Sequence, residues 1–129
     1  MGKTVMLERL LDSVILIDHF NSVPQTTQFL LTLDPEKTAI SVITYAEILT
    51  GLNEEKIQKA RQLLFSFVML EIDFAVAEKA AQLRRQYGWK LPDAFQAAIA
   101  IKNDIKLCTR NTKDFNPKKH PFIEIPYTY

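Results

Sequence analysis

Apolar runs of about five residues alternate along this chain with helical stretches of about ten or more, the pattern of a parallel sheet covered by helices on both faces. Leu7 to Leu11 reads as a strand that delivers Asp12, and a helix follows to about Phe20. Pro24 starts the next helix, over Gln25 to Leu33, which Asp34-Pro35 ends. Thr38 to Val42 is the second strand, and Thr44 to Leu52 is a helix. Asn53 caps the helix from Glu54 to Phe67, and Val68 to Ile72 is β-like. A helix over Phe74 to Tyr87 stops at Gly88, a residue suited to the left-handed conformation that ends helices. Pro92 opens the helix from Asp93 to Lys102, and strands are predicted over Ile105 to Thr109 and Phe122 to Ile125 around an Asn111 to Pro117 loop.

In a sheet wound this way ligands collect beyond the carboxyl ends of the strands, so the residues following each strand are where chemistry is expected. With 129 residues, 47% of them hydrophobic and 24% charged, the chain has room for one domain with one sizeable core. The single Cys108 excludes an internal disulfide and a Cys-rich zinc site, and suits a reducing cytosol. Gly2, Gly51 and Gly88 are the only glycines, too few for a GxGxxG fingerprint. Gly2-Lys3-Thr4 mimics the end of a Walker A loop without the residues that would cradle a phosphate. Every apolar run is too short to span a bilayer, and Glu8, Arg9 and Asp12 break any signal-peptide core. A cytoplasmic location is the expectation.

Acidic side chains stand at telling places. Asp12 follows the first strand, Glu47 is expected in the first turn of the helix after the second, Asp93 starts the helix before the fourth strand, and Asp114 lies in the loop after it. Carboxylates gathered on one rim without a balancing base would repel strongly, and a divalent cation removes that repulsion. Hard oxygen donors favour Mg²⁺ or Mn²⁺ over zinc. Each acid also has a purely structural reading. Asp12 and Asp93 suit helix N-caps, Thr44 with Glu47 matches a capping box, and Asp114 suits a turn.

The words around these acids carry more. Leu10-Leu11-Asp12-Ser13 with the apolar helix behind it, Ser41 to Gly51 around Glu47, Leu91-Pro92-Asp93-Ala94 opening an Ala-rich helix, and Thr109-Arg110-Asn111-Thr112-Lys113-Asp114-Phe115 follow one another in order. Together they resemble the motifs of PIN-domain nucleases, especially the VapC/FitB-like toxin group, from about Leu10 to Phe115. The resemblance implies a single PIN domain over 1–129, a three-layer α/β/α sandwich with a mostly parallel sheet of four to five strands. It implies cleavage of RNA phosphodiesters by a water activated on Mg²⁺ or Mn²⁺. Asp12, Glu47, Asp93 and Asp114 carry over as catalytic residues and metal ligands, with Ser13, Thr109 and Asn111 in support. It further implies a small VapB-like antitoxin and a homodimer. Val14 stands where the family often has a small polar residue, and Gln96 where an apolar one is common, so Gln96 faces the site or a partner. Residues 1–5 read as an extension, or as the product of a start placed ahead of Met6.

The net charge is only +1, yet Lys102, Lys106, Arg110, Lys113, Lys118 and Lys119 oppose only Asp104 and Asp114 around the fourth motif. Of these, Arg110, Lys113 and Lys106 are the candidates for RNA phosphate, the alternative being a solvated basic face. Tyr87 and Trp89 either stack on bases or pack against a helix end. Cys108, His19 and His120 have no arrangement that suggests nucleophilic catalysis. Two other classes compete: a PIN-like adaptor without turnover that binds RNA or a protein, and a phospho-acceptor receiver, which the helical Glu47 does not suit.

Overall fold

The computed structural model describes residues 6–127, so the expectation about residues 1–5 lies outside it. In chain order the elements are β1 (Arg9–Leu11), α1 (Ser13–Phe20), α2 (Pro24–Leu31), a 3₁₀ turn (Pro35–Lys37), β2 (Thr38–Ser41), α3 (Val42–Gly51) and α4 (Glu54–Leu64). Then come β3 (Val68–Leu70), α5 (Phe74–Tyr87), α6 (Leu91–Asn103), β4 (Lys106–Cys108) and β5 (Ile123–Glu124). All strand pairings are parallel, in the order β3-β2-β1-β4-β5. Winding therefore reverses between β1 and β4, the crevice where open α/β sheets bind ligands.

Strand alternation builds the two halves of the core. Leu10, Ala39 and Leu107 join the cluster that α5 and α6 cover, with Val76, Ala80, Leu83, Ala97 and Ala98. Their chain neighbours Leu11, Ile40 and Cys108 point the opposite way, to Ile15, Leu16, Ile48, Ala60 and Leu64 of α1, α3 and α4. Leu10 and Leu11 are fully buried, which stabilises the fold by about 1.5–3 kcal/mol each. The sheet thus sits between two helical layers, as the sequence predicts. Among the described residues no helix is long and apolar enough to cross a membrane.

Several element boundaries differ from expectation because capping differs. The Ser41 hydroxyl accepts the Thr44 N–H at 3.1 Å, so Ser41 caps α3 and Val42 enters the helix instead of extending β2. Thr44 and Glu47 therefore form no capping box, and Glu47 sits in the second turn, within hydrogen-bond reach of Ser13. Lys90, not Asp93, is the N-cap of α6; Pro92 and Asp93 follow inside its first turn. Asp12 does cap α1, accepting the Ser13 N–H at 2.9 Å. Gly88 ends α5 at φ 74°, the left-handed conformation its lack of a Cβ makes accessible.

Candidate active site

Asp12 is the first residue past β1, and its N–H continues the sheet ladder to the Cys108 carbonyl at 2.9 Å. The carboxylate is 5% exposed and held from three directions. Oδ1 accepts the Ser13 N–H at 2.9 Å and the Gln96 Nε2–H at 3.4 Å, while Oδ2 accepts the Thr109 hydroxyl at 2.7 Å. Burial raises the Asp12 pKa, and the donors from Thr109, Ser13 and Gln96 oppose that rise.

Thr109 stands on the other lip of the crevice, first after β4, and is fully buried. Its hydroxyl oxygen accepts the Asn111 N–H at 3.0 Å. Asn111 then donates Nδ2–H to Asp114 Oδ2 at 3.1 Å and accepts the Asp114 N–H at 3.3 Å. The Thr-x-Asn-x-x-Asp spacing thus makes one hydrogen-bonded chain from Asp12 to Asp114. Ser13, also buried, hydrogen-bonds the Glu47 carboxylate, whose pKa partial burial and the charge of Asp12 push up.

Asp93 is the electrostatic centre of the group. Its pKa is raised to about 6, first by burial and then by the charges of Asp12, Asp114 and Glu47, with Lys90 opposing. The acids expected to converge are thereby close enough to disfavour one another's charge. Among the described residues no trio of His, Cys, Asp or Glu side chains closes on one point tightly enough to ligate an ion without help. An oxygen-only donor set of this looseness fits a hard divalent cation that keeps several waters.

Gln96 is where local reasoning runs short. It is 1% exposed, accepts the Ser41 hydroxyl at 2.7 Å and donates to Thr44 Oγ1 at 2.6 Å as well as to Asp12. One side chain ties the start of α3 to α6 and to the first acid, and the site, not a partner, is what it faces. The other element missed is Asp18, 3% exposed, whose carboxylate accepts Arg110 Nε–H and Nη2–H at 2.8 and 3.1 Å and the Tyr127 hydroxyl at 2.7 Å.

That pair changes the reading of the basic candidates. Arg110 and Lys113 both line an open cleft with Asp12, Val14 and Asp93, but the Arg110 guanidinium is engaged by Asp18. Lys106 is a correction. It starts β4, at the end of the sheet opposite Asp12, and donates to the Pro121 carbonyl at 2.6 Å. Cys108 is buried, its thiol donating to Glu124 Oε1 at 2.7 Å, and burial pushes its pKa far up, so it is inert. His19 Nδ1 lies 3.0 Å from Thr27 Oγ1, away from the acids.

A family model described as PIN domain matches residues 9–119. The chain belongs to the PIN domain family. This PIN domain is 30% identical over 112 residues to Ribonuclease VapC10 of Mycobacterium tuberculosis, an alignment covering 82% of the chain and 84% of that protein. Among solved structures it resembles a toxin–antitoxin complex from Klebsiella pneumoniae with TM-score 0.87 and 36% identity, over 95% of this chain and 100% of that one. FitAcB from Neisseria gonorrhoeae gives TM-score 0.75 and 25% identity, over 92% and 97%.

The crowding of acids in the PIN domain has a measurable consequence. A carboxyl whose folded pKa lies above its unfolded value stabilises the fold fully below about pH 4, and that contribution is lost as pH rises through about 6. In EDTA, the wild-type melting temperature is therefore expected to fall relative to that of Asp93→Asn between about pH 4 and about pH 7. Mg²⁺ should restore more of it at the upper pH, because it binds the ionised acids. Parallel curves for the two proteins in differential scanning fluorimetry would show that Asp93 does not feel its neighbours.

Proposed function

We propose that this PIN domain is a cytoplasmic Mg²⁺- or Mn²⁺-dependent endoribonuclease, the toxin of a type II toxin–antitoxin pair. The observation that carries the reading is Asp93, a half-buried carboxyl whose pKa is raised first by burial and then by the charges of Asp12, Asp114 and Glu47, with Lys90 in opposition. Supporting it, one relative is named a ribonuclease, and one structural neighbour is a toxin–antitoxin complex that matches over nearly the whole chain.

Asp12 and Asp93 would hold the ion, with Glu47 and Asp114 completing or orienting its shell through water. Such an ion, when bound, supplies a water of lowered pKa and positive charge beside the scissile phosphate. The protein's own part is alignment. Ser13, Gln96 and Thr109 fix both oxygens of Asp12, so the carboxylate presents one orientation. Asn111 holds Asp114 at the opposite lip, and Lys113 draws the phosphodiester toward the cleft. A small VapB-like antitoxin and a second copy of the chain are the partners this reading implies.

Purified protein incubated with total cellular RNA tests it. Discrete fragments in Mg²⁺ or Mn²⁺, absent in EDTA and with Asp93→Asn, are expected. Intact RNA in every lane from a folded protein would overturn the nuclease and leave a binding adaptor.

A further inference from the structure

Beside the acid cleft lies a second hollow that the reaction described above does not use. Trp89 and His120 form its inner wall, Tyr87 its outer edge, and Lys113, Asn116 and Lys119 its polar rim. Thr112 and Lys113 line this hollow and the acid cleft alike, so the two are adjacent. We propose that the hollow is a nucleobase subsite, which takes one unpaired base of the RNA strand whose phosphate lies at the acids; this rests on the nuclease reading.

The wall is a rigid aromatic platform. Trp89 is 4% exposed, and its Nε1–H donates to the Asp114 carbonyl at 3.0 Å, so the same residue that lends a carboxylate to the site anchors the indole. Tyr87 stacks on Trp89 with centroids 4.5 Å apart and planes at 19°, and His120 meets both rings edge-on at 4.9 and 5.1 Å. Burial and the charge of Lys119 lower the His120 pKa, which favours the neutral ring beside the two aromatics. Tyr87 is nevertheless 44% exposed. An exposed ring immobilised from behind loses little entropy when a base stacks on it.

The rim matches the rest of a nucleotide. Exposed Lys113 and Lys119 suit the flanking phosphates. Asn116 accepts the Lys118 N–H through Oδ1 at 2.9 Å, which leaves Nδ2 as a donor without a partner among the described residues. A donor so placed selects a base edge that presents a carbonyl.

Trp89 is the only tryptophan, so its fluorescence reports on the hollow without any catalysis. The probe is a single-stranded RNA octamer of random sequence, titrated in EDTA into wild-type protein, Tyr87→Ala, Tyr87→Phe and Lys119→Ala. Quenching is expected with wild type and Tyr87→Phe, and about tenfold weaker binding with Tyr87→Ala. Lys119→Ala should weaken binding in proportion to salt sensitivity alone. In cleavage assays Tyr87→Ala should raise KM about tenfold and change kcat little. Equal quenching by an abasic octamer, or unchanged affinity in a folded Tyr87→Ala, would overturn the subsite even if RNA is cleaved. Base-dependent quenching without cleavage in any metal would retain the subsite and sink the nuclease.

Discussion

Asp12→Asn is expected to lower RNA cleavage on the order of 1,000-fold while the metal-free protein melts at or above the wild-type temperature. The two halves have one cause. Asp12 is buried, and desolvation is the largest influence on its pKa, so its charge is held there against the preference of the fold. An asparagine fills the same volume, keeps an oxygen for the Ser13 N–H, and presents an amide to which Thr109 Oγ1 can act as acceptor. What disappears is the negative charge that an Mg²⁺ ion needs. Cleavage rates and thermal melts on the same preparations check this. A variant that loses activity only as far as it loses stability would make Asp12 a structural cap of α1 and nothing more.

Asp18→Ala should destabilise the fold by about 3 kcal/mol, lowering the melting temperature by about 10 °C. The carboxylate lies inside α1 and receives two hydrogen bonds from Arg110 and one from Tyr127, joining the first helix to the loop after β4 and to the C-terminal segment. Removing it takes away both hydrogen bonds from the Arg110 guanidinium and the acceptor of the Tyr127 hydroxyl, and a broken ion pair at a buried carboxylate is costly. Arg110→Met is expected to recover part of the loss in the Asp18→Ala background, because the charge that Asp18 balanced goes with it. Urea midpoints for the two single variants and the double variant decide the matter, and strictly additive losses would mean that the pair is not coupled. Arg110 lies between Thr109 and Asn111, so the same loosening should reach Asp12 and Asp114 and reduce cleavage.

The acidic candidates stand out in the sequence because each is announced locally. Asp12 ends an apolar run, Asp93 follows a proline at a helix start, and Asp114 closes a turn motif, all within a few residues of the signal that marks them. Glu47 lies in the expected helix but in its second turn, not its first. Ser41 and Thr44 are both good caps; the Thr44 N–H to Ser41 Oγ bond makes Ser41 the cap, and Gln96 holds both hydroxyls. Lys106 is near the fourth motif in sequence, but it starts β4 and the motif follows the strand's other end, and a strand moves its ends apart.

The alternation of strands and helices, the two-faced core and the rim on which the acids would stand can all be read along the chain. Those follow from side-chain periodicity and from capping residues, which act over a few positions. That Gln96 turns inward to Asp12, that Arg110 is engaged by Asp18, and that Trp89 is anchored to the backbone of Asp114 emerges from the packed fold alone. These partners lie on separate elements, far apart in the chain. Whether a buried polar group meets its partner is set by how helices seat on the sheet, because an unpaired one is penalised wherever it falls.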